Sequence, residues 1–104
     1  MGLPSCLREF DQFSTNFIQE HDAKKRLEIL DNANKALNLI KTKEDRKSAK
    51  TYIKIMEKVL EKGNDFISHE AERVQKITKS KISKEKQTEM DMRLNILQSF
   101  KQEL

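Results

Sequence analysis

The sequence predicts an all-α protein, a single compact bundle of five helices. Three observations carry this. Glycine and proline are scarce, with Gly 2 and Pro 1 in 104 residues, and β-branched runs are absent, so there is little material for hairpins. Apolar residues recur at helical spacing. Ala49, Tyr52, Ile53, Met56, Val59 and Leu60 fall at i, i+3, i+4, i+7, i+10 and i+11, which at roughly 100° per residue is one arc about 120° wide. Residues suited to helix ends stand beside such stripes: Ser5, Asp22 and Ser83 as N-caps and Gly63 as a stop.

Residues 1–5 read as an extended lead, a linker or cloning remnant, in which Pro4 stands near a helix start and Ser5 is the expected N-cap. The first helix runs to about Glu20 with Leu7, Phe10, Phe13, Phe17 and Ile18 as its stripe; bundle core outweighs a ligand box for these aromatics. Asp22 caps a second helix to about Ile40, striped by Leu27, Leu30, Leu37 and Ile40, with Ala33 and Ala36 permitting close approach. A third covers about Glu44 to Lys62 and ends at Gly63, expected in the left-handed C′ conformation. Asp65 or Ser68 caps the fourth, whose thin stripe of Ala71, Val74 and Ile77 makes it the helix expected to be held most loosely. Ser83 caps the fifth, which buries Met90, Leu94, Leu97 and Phe100.

A chain of this length is one domain, with one core and no large enclosed pocket. Apolar residues are 36% and charged residues 37%, but the apolar ones are patterned, which argues against disorder. The net charge of +4 and pI of about 9.2 are modest for a nucleic-acid binder, and exposed aromatic platforms are not expected. An acidic protein surface suits this charge as well. The single cysteine, Cys6, excludes an internal disulfide, a Cys-x-x-Cys pair and a cysteine-based zinc site, and its default role is a small buried hydrophobe. No run of eighteen apolar residues exists. His21 and His69 lack partners at metal-ligand spacing, and no phosphate loop or nucleophile elbow appears, so no cofactor, metal or catalytic role is expected.

Two features point to function. On helix three Lys43, Lys47, Lys50, Lys54, Lys58 and Lys62 gather opposite the apolar arc, with Lys47, Lys50, Lys54 and Lys58 as the candidate protein-binding residues. Lys25, Lys41, Arg46 and Arg73 are expected to extend this ridge; the alternative is a solvated face interleaved with Glu57 and Glu61. The second is the terminal tetrapeptide Lys101-Gln102-Glu103-Leu104, one position removed from the Lys-Asp-Glu-Leu retrieval signal; the alternative is an ordinary charged helix end.

Leu3-Pro4-Ser5-Cys6-Leu7, Tyr52-Ile53-Lys54-Ile55-Met56-Glu57-Lys58, Gly63-Asn64-Asp65-Phe66, Arg93-Leu94-Asn95-Ile96-Leu97 with Phe100, and the terminal KQEL occur in that order. Together they resemble the C-terminal helical domain (D domain) of the redox-inactive protein disulfide isomerase relatives of the endoplasmic reticulum. The resemblance covers essentially the whole chain from Leu3 onward, with residues 6–100 as the five-helix D domain and 101–104 as the retrieval signal, read by a KDEL-type receptor. Gln102 departs from the acidic residue more usual there. The resemblance implies a non-enzymatic domain of the endoplasmic reticulum lumen that binds secretory cargo or docks on the acidic calnexin or calreticulin arm. It also implies a preceding thioredoxin-like domain that usually supplies dimerisation, so the chain reads as an excised domain; it is expected to be monomeric by itself because the core uses up its apolar residues. A similar domain follows catalytic thioredoxin domains in true disulfide isomerases, which makes a substrate-binding domain of such an enzyme the first rival. A basic helical nucleic-acid module is the second, opposed by KQEL.

Overall fold

The computed structural model describes residues 6–101 and contains α1 (Arg8–Gln19), α2 (Ala23–Leu39), α3 (Lys43–Lys62), α4 (Asp65–Thr78) and α5 (Lys84–Phe100), with no strand among the described residues. The Cα radius of gyration is 13.5 Å, against about 13 Å expected for a folded chain of 100 residues. No described helix is long and apolar enough to cross a membrane.

α3 is the centre. It packs against every other helix and buries Ser48, Ala49, Tyr52, Ile53, Ile55, Met56 and Val59. Phe10 and Phe17 of α1 and Ile96, Leu97 and Phe100 of α5 meet this face, and all are essentially inaccessible to solvent. Each buried phenylalanine contributes on the order of 2 kcal/mol. Tyr52 joins three helices. Its ring centroid lies 5.5 Å from that of Phe10 and 6.2 Å from that of Phe100. Its hydroxyl donates to Asp11 Oδ1 at 2.6 Å and accepts from the Leu7 N–H at 3.0 Å, so a polar tip in the core is satisfied on both sides. Burial, and then the bond to Asp11, push this phenol far above the ordinary tyrosine value.

Asp22 accepts from the Lys24 N–H at 2.9 Å and Ser83 from the Lys86 N–H at 3.1 Å, so both expected caps form. Thr42 caps α3 through the Asp45 N–H at 3.2 Å. α1 begins at Arg8 with Leu7 in the N-cap position, later than expected; Ser5 lies outside the described residues. α4 begins at Asp65 with Asn64 at its N-cap, so neither Asp65 nor Ser68 is the cap. The Asn64 side chain does not cap either: its Oδ1 accepts from Arg26 Nη2 at 2.9 Å. Gly63 does stop α3 at φ 93°, but with ψ 172° rather than the left-handed helical value. This backbone region is essentially restricted to glycine.

Two expectations about packing are corrected. Leu27 is 55% exposed, although it was expected on the inner stripe of α2. α4 is not the loosest helix: it packs on both α3 and α5 and buries Ile67, Glu70 and Val74. α2 packs only against α1 and α3 among the described elements, buries Ala33 alone, and leaves Leu39 80% exposed. The cause is position. A helix on the rim has no neighbour to cover the outer half of a wide apolar arc.

Arginines also close the helix ends on either side of α2. Arg26 Nε donates to the Phe17 carbonyl at 2.9 Å and the Glu20 carbonyl at 2.7 Å, closing the C-terminus of α1, with its guanidinium 4.9 Å from the Phe17 ring centroid. Arg46 Nη1 donates to the Leu37 carbonyl at 3.0 Å and the Ile40 carbonyl at 3.2 Å, closing α2 in the same way. Arg46 is therefore a half-buried clamp and not an extension of the lysine ridge.

Candidate functional site

The lysines of α3 divide between two surfaces. Lys54, Lys58 and Lys62 line a pocket of ≈ 250 Å³ at the corner where α3, α4 and α5 meet. Helical spacing stacks these three on one side of α3, and Ile55 enters from the same side as an apolar floor. α4 contributes Phe66, Glu70 and Arg73, which its i, i+4, i+7 spacing places on one face, and α5 contributes Arg93. Lys47 instead borders a cleft between α3 and α5 beside Glu44, Asp45, Glu85 and Glu89, where carboxylates surround it. Lys50 is exposed and lines neither. Of the four lysines singled out in the sequence, the structure thus brings Lys54 and Lys58 together and sets Lys47 and Lys50 apart.

Glu70 is the only carboxylate lining the basic pocket among the described residues, and it is 8% exposed. Arg73 grips it with Nε to Oε1 at 3.0 Å and Nη2 to Oε2 at 2.6 Å, a forked contact. Arg93 Nη1 stands 3.6 Å from the same Oε2. The hydrogen bonds from Arg73 hold the Glu70 carboxyl below the ordinary glutamate value, against the opposing effect of burial, with the charges of Arg73, Arg93 and Lys58 adding to the downward shift. The same bond raises Arg73. Lys58 reaches Glu61 only at 3.8 Å on the exposed rim, a weak pairing that leaves its charge available. Arg93 Nε is buried with no hydrogen-bond partner among the described residues. One carboxylate against Lys54, Lys58, Lys62, Arg73 and Arg93 leaves the pocket strongly positive.

Arg73 had been expected to extend the ridge and does border it; Lys25 and Lys41 are exposed elsewhere. Glu70 and Arg93 were missed. The i, i+3 spacing of Glu70 and Arg73 was a usable local signal, but Arg93 reaches the site from another helix and has none.

Other features carry less chemistry. A second groove of ≈ 510 Å³ is lined by Ile18, Ile67 and Phe100 together with His21, Asn64 and Lys101. Lys101 is exposed there; Gln102, Glu103 and Leu104 lie outside the described residues. His21 and His69 are exposed, and no group of metal-ligating side chains assembles among the described residues. Cys6 is half-buried against the core, with Sγ 3.5 Å from the Asn95 carbonyl oxygen, a weak S–H contact that ties the entry of α1 to α5.

Comparisons with known proteins agree with this architecture. Residues 5–100 match the family model described as endoplasmic reticulum protein ERp29, C-terminal domain. The chain is 27% identical over 101 residues to Protein windbeutel of Drosophila melanogaster, covering 97% of this chain and 39% of that protein. It is 32% identical to Protein disulfide-isomerase 1 of Dictyostelium discoideum, over 91% of this chain and 26% of that protein. It is 34% identical to Protein disulfide isomerase-like 2-2 of Oryza sativa subsp. japonica, over 73% of this chain and 20% of that protein. The chain therefore spans well under half the length of each of these relatives. With the family model covering nearly the whole chain and five helices where it requires a helical domain, this protein belongs to the family of the ERp29 C-terminal domain, a helical domain of protein disulfide isomerase-like proteins of the endoplasmic reticulum.

Proposed function

We propose that this domain is a non-catalytic protein-binding module of an escort or chaperone in the endoplasmic reticulum lumen. It docks on the acidic arm of calnexin or calreticulin through its lysines, with Lys54 and Lys58 at the centre and Lys47 and Lys50 as outlying steering charges. The observation that supports this most is the positive pocket at the α3–α4–α5 corner, where cations from three helices converge on a lining with a single carboxylate among the described residues. Secretory cargo is the second ligand of this reading, held at the apolar groove lined by Ile18, Ile67 and Phe100. Lys101-Gln102-Glu103-Leu104 returns the protein by way of a KDEL-type receptor. The domain is monomeric by itself, and the parent dimerises through a thioredoxin-like domain.

An NMR titration with the isolated calreticulin arm at low and high salt tests the adapter role. Shifts on the basic corner that fade as the Debye length falls from about 10 Å at 0.1 M to about 3 Å at 1 M support it. Absence of shifts at high protein concentration removes it and leaves the apolar groove as the leading site. The likeness to the Dictyostelium and rice disulfide isomerases favours a second reading, a substrate-binding domain beside catalytic ones. A Cys-x-x-Cys in the parent protein would support that reading, and a parent without one would remove it.

A further inference from the structure

We propose that the α3–α4–α5 corner is a carboxylate-binding subsite for one acidic side chain of a protein partner, with Glu70 as a resident anion that sets its affinity. This rests on the reading that the partner is acidic, and adds which residues take its charge and how strongly.

Three features of the corner go beyond a row of surface lysines. The first is concavity. Ile55 and Phe66 line the pocket together with the cations, so a side chain that enters can set its methylene portion against them while its carboxylate stays among Lys54, Lys58 and Lys62. The second is unused donor capacity. Arg93 directs only Nη1 toward Glu70, at 3.6 Å, beyond good hydrogen-bond distance, and its Nε has no partner among the described residues. A guanidinium so placed gains by a small turn toward an additional carboxylate. The third is the occupant already present. Glu70 sits at the back of the pocket and holds Arg73 in a forked contact, neutralising part of the field that an incoming anion would meet. A partner carboxylate at the mouth shares these arginines with Glu70 and is repelled by it. Glu70 thus orders Arg73 and at the same time weakens binding.

The volume of ≈ 250 Å³ accommodates one aspartate or glutamate side chain and no folded element. The subsite therefore reads a single acidic position within a longer acidic segment. The rest of the segment crosses the exposed parts of α3.

The test is a titration of the chain with an end-blocked hexaglutamate peptide at constant low ionic strength. It follows the Ile55 methyl signals, the Phe66 amide and the side-chain Nε–H signals of Arg73 and Arg93. Binding is expected to move all of these more than the amides of Lys47 and Ser48. Lys58→Ala should weaken affinity about two- to fivefold, the range of one exposed pair. Glu70→Gln should tighten it about fivefold, because removal of a resident charge acts at short range in a partly buried site. The Arg73 Nε–H shift needs no change at Glu70 and decides the sharing of that arginine even where Glu70→Gln unfolds the domain. Binding centred on Lys47 or Lys50 with the pocket signals still would overturn the subsite while leaving an acidic partner in place. A folded Glu70→Gln that binds no tighter, or an Arg73 signal that does not move, would overturn the role of Glu70. No binding anywhere would overturn both the subsite and the acidic-partner reading beneath it.

Discussion

α2 and α3 are both rich in apolar side chains, and the structure treats them differently. α3 turns Tyr52, Ile53, Ile55, Met56 and Val59 into core, whereas Leu27 and Leu39 of α2 face water. The difference lies in cover. α3 packs against all four other helices, and α2 has only α1 and α3. Apolar content therefore sets what a helix can bury, and its place in the bundle sets what it does bury. α3 is held by a fully buried face, α2 by the half-buried Ile29, Leu30, Leu37 and Ile40 together with the arginine clamps at its two ends.

Substitutions can break or sharpen that contrast. The largest effect is expected in the face of α3: Met56→Ala should cost about 2–5 kcal/mol in denaturant unfolding. Tyr52→Phe comes next, at about 1–3 kcal/mol, because it leaves the Leu7 N–H and the Asp11 carboxylate without their partner. Arg26→Ala should cost about 1–2 kcal/mol and speed amide exchange at the α1–α2 joint, since the Phe17 and Glu20 carbonyls lose the guanidinium donor. Glu70 gives a smaller, pH-dependent effect. Its carboxyl is held below the ordinary value of 4.5 when folded. The folded state therefore binds fewer protons than the unfolded one in this window, and the contribution is complete above that value and lost as pH falls through the lowered one. Wild-type stability should drop below about pH 4.5 more steeply than that of Glu70→Gln, as read by unfolding midpoints across pH. The smallest effect belongs to α2: Leu39→Ser should change stability by no more than about 0.5 kcal/mol. A cost for Leu39→Ser comparable with that of Met56→Ala would show that α2 is covered in solution, and the contrast would fail.

Much of the fold was legible because its signals are local. The inner arc of α3, the caps Asp22 and Ser83 and the stop at Gly63 each depend on residues within a turn or two. What was not legible depends on another helix. Leu27 has the spacing of a core residue, and only the absence of a neighbour reveals that it is not one. Arg26 and Arg46 resemble surface charge until the carbonyls they close are in view. Asn64 would suit a cap, but Arg26 takes its side chain. At the candidate site the lysine row was readable from helical spacing, which did place Lys54, Lys58 and Lys62 together. Spacing could not show that Lys47 faces acidic residues from the start of α5, nor that Arg93 and Glu70 complete the pocket.

The most direct measurement is calorimetric binding of the isolated calreticulin arm to the wild-type chain and to a Lys54→Glu, Lys58→Glu double variant, with unfolding followed in parallel. Both lysines are outside the core, so the variant should stay folded, at a modest cost because Lys58 no longer supports the Glu70 charge. The expected result is a loss of affinity of about tenfold or more, corresponding to at least about 1.4 kcal/mol. Equal affinity for the two proteins would contradict a binding site at the α3–α4–α5 corner.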